Sequence, residues 1–247
     1  MKKDTNNIQI SGRQVLFTLL IWILLSAFAG VGTSYAIRSW APTWANPDSQ
    51  SIVIVAEVYF LFLVSAFLVF GGLKGIQDRL NFKFTGIRDI GLVLKLYGMT
   101  LGAIALVYLC LSPFIGPLPE TLLQILRRAS DMSRMPSAGF LAWFLIIIRA
   151  CILAPITEEI LFRGLLFGWL RGRFNAVITI VVTTLLFTSM HYYPILFPLA
   201  FLFGAMAGWV RERTNSSFNF VIAHILNSIL FLAVGYVLIN VYKVSPV

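Results

Sequence analysis

"TEEILFRG", residues 157–164, sets two adjacent glutamates and an arginine in an apolar stretch. Carboxylates near imidazoles are the groups that move protons in hydrolysis. The chain has two histidines, and both also fall in apolar runs: "FTSMH" ends at His191 and "AHILNS" carries His224. A lone buried histidine is more often a satisfied core residue than a catalyst. Two of them, with carboxylates on a third helix, point instead to a site. The cost of placement supports this, because an ionised side chain in hydrocarbon costs at least ~2.5–3.5 kcal/mol and needs a partner or a function.

Helical spacing sorts the two glutamates. Glu159 and Arg163 stand i,i+4 with the acid first, the favourable order for a side-chain ion pair, so Arg163 is expected to neutralise Glu159. Glu158 points about 100° away and has no partner on its own helix, which leaves it as the carboxylate free for chemistry. Depth follows from rise per residue: Glu158 lies about 20 Å along the helix before Arg171, His224 about 16 Å after Arg213, and His191 about 27 Å after Arg173. Glu158 and His224 agree in level, while His191 needs a tilt or kink to join them. Glu57, Lys95 and Arg149 are isolated on their helices and read as structural pairs or, for Lys95, a snorkelling side chain.

The elements that must hold these groups are membrane helices. Of 247 residues 59% are hydrophobic and 12% charged, with mean hydropathy +0.87, whereas soluble domains carry about 25% charge. Apolar runs long enough to cross a bilayer of about 30 Å cover 15–37, 51–73, 91–114, 138 to about 170, 176–191, 195–210 and 218–241. The fold class expected is therefore all-α, a polytopic transmembrane helical bundle of about 7–8 spans with the active site between helices inside the membrane. Alternating strands are absent, which argues against a barrel. The first run is too long for a signal-peptide core and reads as a retained helix. Residues 1–247 read as one membrane domain, and "PETLLQILRRASDMSR" (119–134) as an amphipathic helix at the interface.

The formal charge of +9 is spread over short loops and not gathered into a nucleic-acid patch. Lys2, Lys3, Arg13, Lys74, Arg79, Lys83, Arg88, Arg171, Arg173, Arg211 and Arg213 fall on one side of a seven-span arrangement, which by the positive-inside rule is cytoplasmic and holds the N-terminus. Arg127, Arg128 and Arg134 count against it. Cys110 and Cys151 read as packed thiols, and Gly204 and Gly208 as close helix packing within the bundle.

These motifs resemble a known family. "EEILFR" is similar to EExxxR, "FTSMH" to FxxxH, and "HILNS" to the third, histidine-plus-asparagine motif of the CPBP family of intramembrane proteases, which includes type II CAAX prenyl endopeptidases and bacterial Abi proteins. The resemblance covers about 138–241, taken as the catalytic core; the first 137 residues carry no motif. It implies that Glu158 and His191 activate a water for attack on a peptide carbonyl, and that His224 with Asn227 stabilises the oxyanion. Glu159, Arg163, Phe187 and Ser228 support the site, Phe187 packing beneath the His191 imidazole. Family members often carry the asparagine four residues after the histidine, where this chain has Ser228; Asn227 is the third. Both offsets lie on the histidine's face.

Family proteins are commonly labelled metalloproteases, and Glu158, His191 and His224 could hold zinc with one position open. No HExxH occurs, so the residues favour a glutamate-dependent mechanism with no cofactor over a zinc one. The reading is thus a cell-membrane, multi-pass endopeptidase, partnered by membrane lipids and a membrane-bound peptide or protein substrate of CAAX type, prenylated or not, and by no nucleic acid. The alternatives are a non-proteolytic membrane scaffold or bacteriocin-immunity protein and, behind it, a proton-coupled transporter, against which stands the absence of a visible inverted repeat.

Overall fold

A computed structural model describes residues 10–41, 47–115, 140–191 and 197–241, and these form eight helical elements with no strand among them. They are α1 (Gly12–Trp40), α2 (Pro47–Phe70), α3 (Leu73–Arg79), α4 (Ile87–Ile115), α5 (140–171), α6 (Ala176–Ser189), α7 (Phe197–Thr214) and α8 (Asn219–Val241). The expected interfacial helix at 119–134, with its three arginines, lies outside the described residues, as do Lys2 and Lys3.

Local chemistry sets the ends. Ser11 caps α1 by accepting from the Gln14 N–H while the Gln14 side chain accepts from the Ser11 N–H, satisfying two first-turn donors reciprocally. The 51–73 run stops at Phe70 because Gly71 and Gly72 turn through φ of 76° and 94°, a region open to glycine at little cost. The polar stretch that follows contains α3, which apolar periodicity does not signal. Asn175 caps α6 by accepting from the Ile178 N–H at 2.9 Å.

α5 is one continuous helical path with two wide turns. α-Helix over Phe140–Ile148 gives way to π-helix at Arg149–Leu153, α-helix at Ala154–Glu158, π-helix again at Glu159–Leu166 and α-helix at Phe167–Arg171. Pro155, with no N–H to give, sits between the wide turns, and a proline inside a helix removes a bond and crowds the preceding turn.

Three helices, Gly12–Trp40, Ile52–Phe70 and Ile87–Phe114, are long and apolar enough to cross a membrane by length and composition. The run expected over 176–191 is shorter: α6 has 14 residues, about 21 Å, with Met190 as its cap and His191 in the bend beyond. Outward faces carry Phe28, Val31, Tyr35, Leu106, Leu109 and Val177 exposed, the surface a lipid phase accommodates.

Packing places α5 at the centre. α2 lies against α1 on one side and α5 on the other; α4 packs on α7 and α8, α6 on α7, and α8 also on α5. Gly204 and Gly208 serve α7–α6 packing, since a Cβ at Gly204 would come 3.2 Å from both Phe187 and Thr184, and one at Gly208 3.1 Å from Ile180. Loops tie the halves together: the Ser217 hydroxyl donates to the Leu80 carbonyl at 2.9 Å, the Ser217 N–H to Asn81 at 2.9 Å, and the Ser216 hydroxyl to Lys83 at 2.6 Å. On the same side Arg171 grips Glu212 through Nε–Oε2 at 2.9 Å and Nη2–Oε1 at 3.1 Å, the forked pairing that suits guanidinium and carboxylate.

Candidate active site

Arg163 is the buried anchor. Its residue is 1% exposed, and its Nη1 donates to Glu159 Oε1 at 3.2 Å while Nη2 donates to the Gly204 carbonyl at 3.2 Å. The guanidinium carbon lies 4.5 Å from the Phe187 ring centroid, a cation–π distance. Gly204 has no Cβ to hold α7 away, so its carbonyl reaches the cation. The Arg163 carbonyl, at the wide turn, accepts from Arg211 Nε at 2.9 Å.

Glu159 is fully buried and binds two partners through one oxygen: Arg163, and His224 Nδ1 at 3.0 Å. A carboxylate oxygen accepts, so Nδ1 of His224 carries the hydrogen and Nε2 is left to face the site. Nε2 lies 3.7 Å from Glu158 Oε2. That contact is longer than a hydrogen bond, and Oε2 of Glu158 has no other hydrogen-bond partner among the described residues. Oε1 of Glu158 accepts from the Tyr59 hydroxyl at 3.3 Å. The two neighbouring glutamates are thereby separated: Glu159 is held by a cation and an imidazole, and Glu158 keeps one free oxygen towards His224.

His191 enters from beyond α6. Its Nδ1 lies 3.0 Å from the Phe187 carbonyl; a carbonyl only accepts, so Nδ1 donates and Nε2 is the free nitrogen. The ring reaches back one helical turn and packs on Phe187 at 4.7 Å between centroids. Phe187 also lies 6.1 Å from His224, so one phenyl ring packs against both histidines. No hydrogen bond joins His191 to Glu158 among the described residues.

Asn227 sits one turn beyond His224, where its Oδ1 accepts from the Tyr97 hydroxyl at 3.3 Å. The contact on this face is therefore made by the residue at i+3. Around the imidazole of His224 stand Phe203 at 5.1 Å and Phe220 at 6.4 Å, aromatic walls that exclude water and so strengthen electrostatic contacts.

Of the isolated ionisable residues, Glu57 accepts from the Thr33 hydroxyl at 3.0 Å, across α1 and α2. Lys95 is exposed, and Arg149 starts the first wide turn of α5 and has a partner. Among the described residues no group of three or more His, Cys, Asp and Glu side chains is gathered as a metal site; Nδ1 of each histidine is held by protein oxygen and Nε2 is the nitrogen left for a ligand.

Four contributors go unnamed by motif: Tyr59, Tyr97, the Gly204 carbonyl and the Phe203–Phe220 wall. The hydroxyls had a signal, since tyrosine in an apolar helix must find its O–H a partner. The carbonyl and the wall had none, for they depend on where α7 and α8 lie.

Fold and site together define a helical membrane bundle with a buried Glu/His cluster between its helices. Residues 140–230 match the family model described as type II CAAX prenyl endopeptidase Rce1-like, consistent with the CPBP family. The matched segment contains EEILFR, FTSMH and HILNS; α1 to α4 lie outside it. No curated protein and no solved structure gives a significant match.

Proposed function

We propose that the chain is an intramembrane endopeptidase in which Glu158 and His191 activate water against a peptide bond near the membrane-anchored end of a CAAX-type substrate. The observation that carries this is the division of labour between the glutamates. Glu159 is spent on Arg163 and His224 through Oε1, whereas Glu158 is bonded to no cation side chain and turns its unpartnered Oε2 towards Nε2 of His224 at 3.7 Å. A free carboxylate oxygen removed from bulk water is suited to take a proton from a nucleophilic water and return it to the leaving amine.

The remaining groups fall to the other side of the carbonyl. As the tetrahedral centre forms, negative charge grows on the carbonyl oxygen and asks for donors already in place. Asn227 offers Nδ2, since its Oδ1 faces the Tyr97 hydroxyl. His224 offers Nε2 when that nitrogen already holds a proton as the cycle begins, so that the proton Glu158 takes from water is kept for the leaving amine. Collapse expels the amine, which takes the proton from Glu158. No step requires a metal, and the reading assigns none. The protein is placed in the cell membrane with its N-terminus cytoplasmic, the orientation favoured by the basic loops.

Purified in detergent, Glu158→Gln is expected to abolish cleavage while yield and melting temperature stay near wild type, because size and one hydrogen bond are kept. His191→Ala should behave in the same way. Comparative proteomics of membrane peptides from cells with wild type and Glu158→Gln would name the substrate. Substantial activity in Glu158→Gln would overturn the role of Glu158, and absence of cleavage by wild type and variant alike would favour a scaffold or immunity role. Metal analysis of active protein is expected to find well under one zinc per chain; stoichiometric zinc lost and regained with activity would replace the metal-free mechanism.

A further inference from the structure

Two hydroxyls reach the cluster from helices that carry no motif and lie outside the matched segment. Tyr59 of α2 donates to Glu158 Oε1 at 3.3 Å, and Tyr97 of α4 donates to Asn227 Oδ1 at 3.3 Å. We propose that Tyr59 and Tyr97 are positioning residues of the site, the first turning Glu158 Oε2 towards the reacting water and the second turning Asn227 Nδ2 towards the oxyanion. The inference rests on the proteolytic reading above and names the part of the chain outside the matched segment that completes its machinery.

The chemistry of each contact is one-sided. A carboxylate has two equivalent oxygens and a terminal bond that rotates broadly; holding one oxygen fixes where the other points. Tyr59 is itself tied to the same helix, because the Thr157 hydroxyl donates to its backbone carbonyl at 3.2 Å. Two bonds from residues 157 and 158 therefore converge on a single residue of α2, one on its backbone and one on its side chain.

An amide presents an acceptor at one end and two donors at the other. If the Tyr97 hydroxyl holds the acceptor end, the donor end is turned away from α4, and only a donor can stabilise an oxyanion. Tyr97 is 8% exposed and packs edge-on to Phe203 at 6.5 Å between centroids, the ring that also walls His224. Its hydroxyl is thus placed by packing independent of Asn227. Tyr97→Phe keeps that packing and removes only the hydroxyl.

The test compares Tyr59→Phe, Tyr97→Phe, Glu158→Gln and wild type in detergent on one peptide panel, with melting temperature and infrared spectra from the same preparations. Tyr59→Phe is expected to lose roughly 10- to 100-fold in kcat, the scale of a hydrogen bond to a charged group, and Tyr97→Phe roughly 3- to 10-fold, the scale of a neutral one, with KM and melting temperature little changed in both. The Glu158 carboxyl band, isolated as wild type minus Glu158→Gln, is expected to shift in Tyr59→Phe and to stay in place in Tyr97→Phe. Activity within twofold of wild type, an unmoved band in Tyr59→Phe, or a loss that tracks a fallen melting temperature would overturn the proposal. If wild type and Glu158→Gln are equally inert on every peptide, the proteolytic reading fails and the catalytic role falls with it, while the infrared band still decides whether Tyr59 holds Glu158.

Discussion

Asn227 and Ser228 show how one position of offset changes a side chain's chemistry. Both follow His224 on its own face, yet the Tyr97 hydroxyl meets Asn227. If the amide Nδ2 steadies the developing oxyanion, Asn227→Ala should lower turnover by about 10² to 10³ with little change in apparent affinity, since the contact strengthens only as charge develops. Ser228→Ala should be nearly silent. Assaying both against one peptide, with folding checked by size exclusion, decides between them, and the reverse pattern would move the role to i+4. His191 carries a related lesson. Counted along an α-helix it lay too deep, but its ring folds back onto the Phe187 carbonyl, and side-chain direction, not backbone position, sets where an imidazole acts.

At the scale of the element, α5 departs from regular α-helix where the motif stands. The stretch Glu159–Leu166 is π-helix, a form that appears mostly as short insertions at functional sites. Its wider turn keeps Glu159 and Arg163 on one face, and the ion pair stands at 3.2 Å. Burying such a pair costs desolvation, and removing one partner strands the other charge, at roughly 3–5 kcal/mol. Arg163→Ala also abandons the Gly204 carbonyl and frees the carboxylate that holds His224. It is therefore expected to lower melting temperature and yield together with activity, measured by thermal unfolding in detergent beside the peptide assay. Unchanged stability with lost turnover would move Arg163 from support into the reacting set.

For the whole molecule, the hydrogen bonds of the cluster run beyond the segment that matches a family. α2 and α4 supply the hydroxyls on Glu158 and Asn227, and the loop after α3 is bonded to the loop before α8. Residues 138–247 expressed alone should fail to give a monodisperse, active species, and co-expression with 1–137 should restore both, read by size exclusion and the peptide assay. An active isolated fragment would show that the first four helices serve the membrane and not the site.

The amino-acid sequence by itself determined the helical membrane class, the pairing of Glu159 with Arg163, and the three motif segments, because each depends on composition or on spacing within one helix. Apolar length reports a span whatever its neighbours are, and Glu159 with Arg163 is decided by four residues of backbone. What only the tertiary structure decided lies between helices: that Glu159 holds His224, that Phe187 packs against both imidazoles, and that Tyr59 and Tyr97 reach across to Glu158 and Asn227. Those contacts join residues 65 to 130 positions apart for the hydrogen bonds to His224, Glu158 and Asn227. Periodicity within a helix carries no information on which face of another helix it meets, so partners of that kind appear only once the bundle is packed.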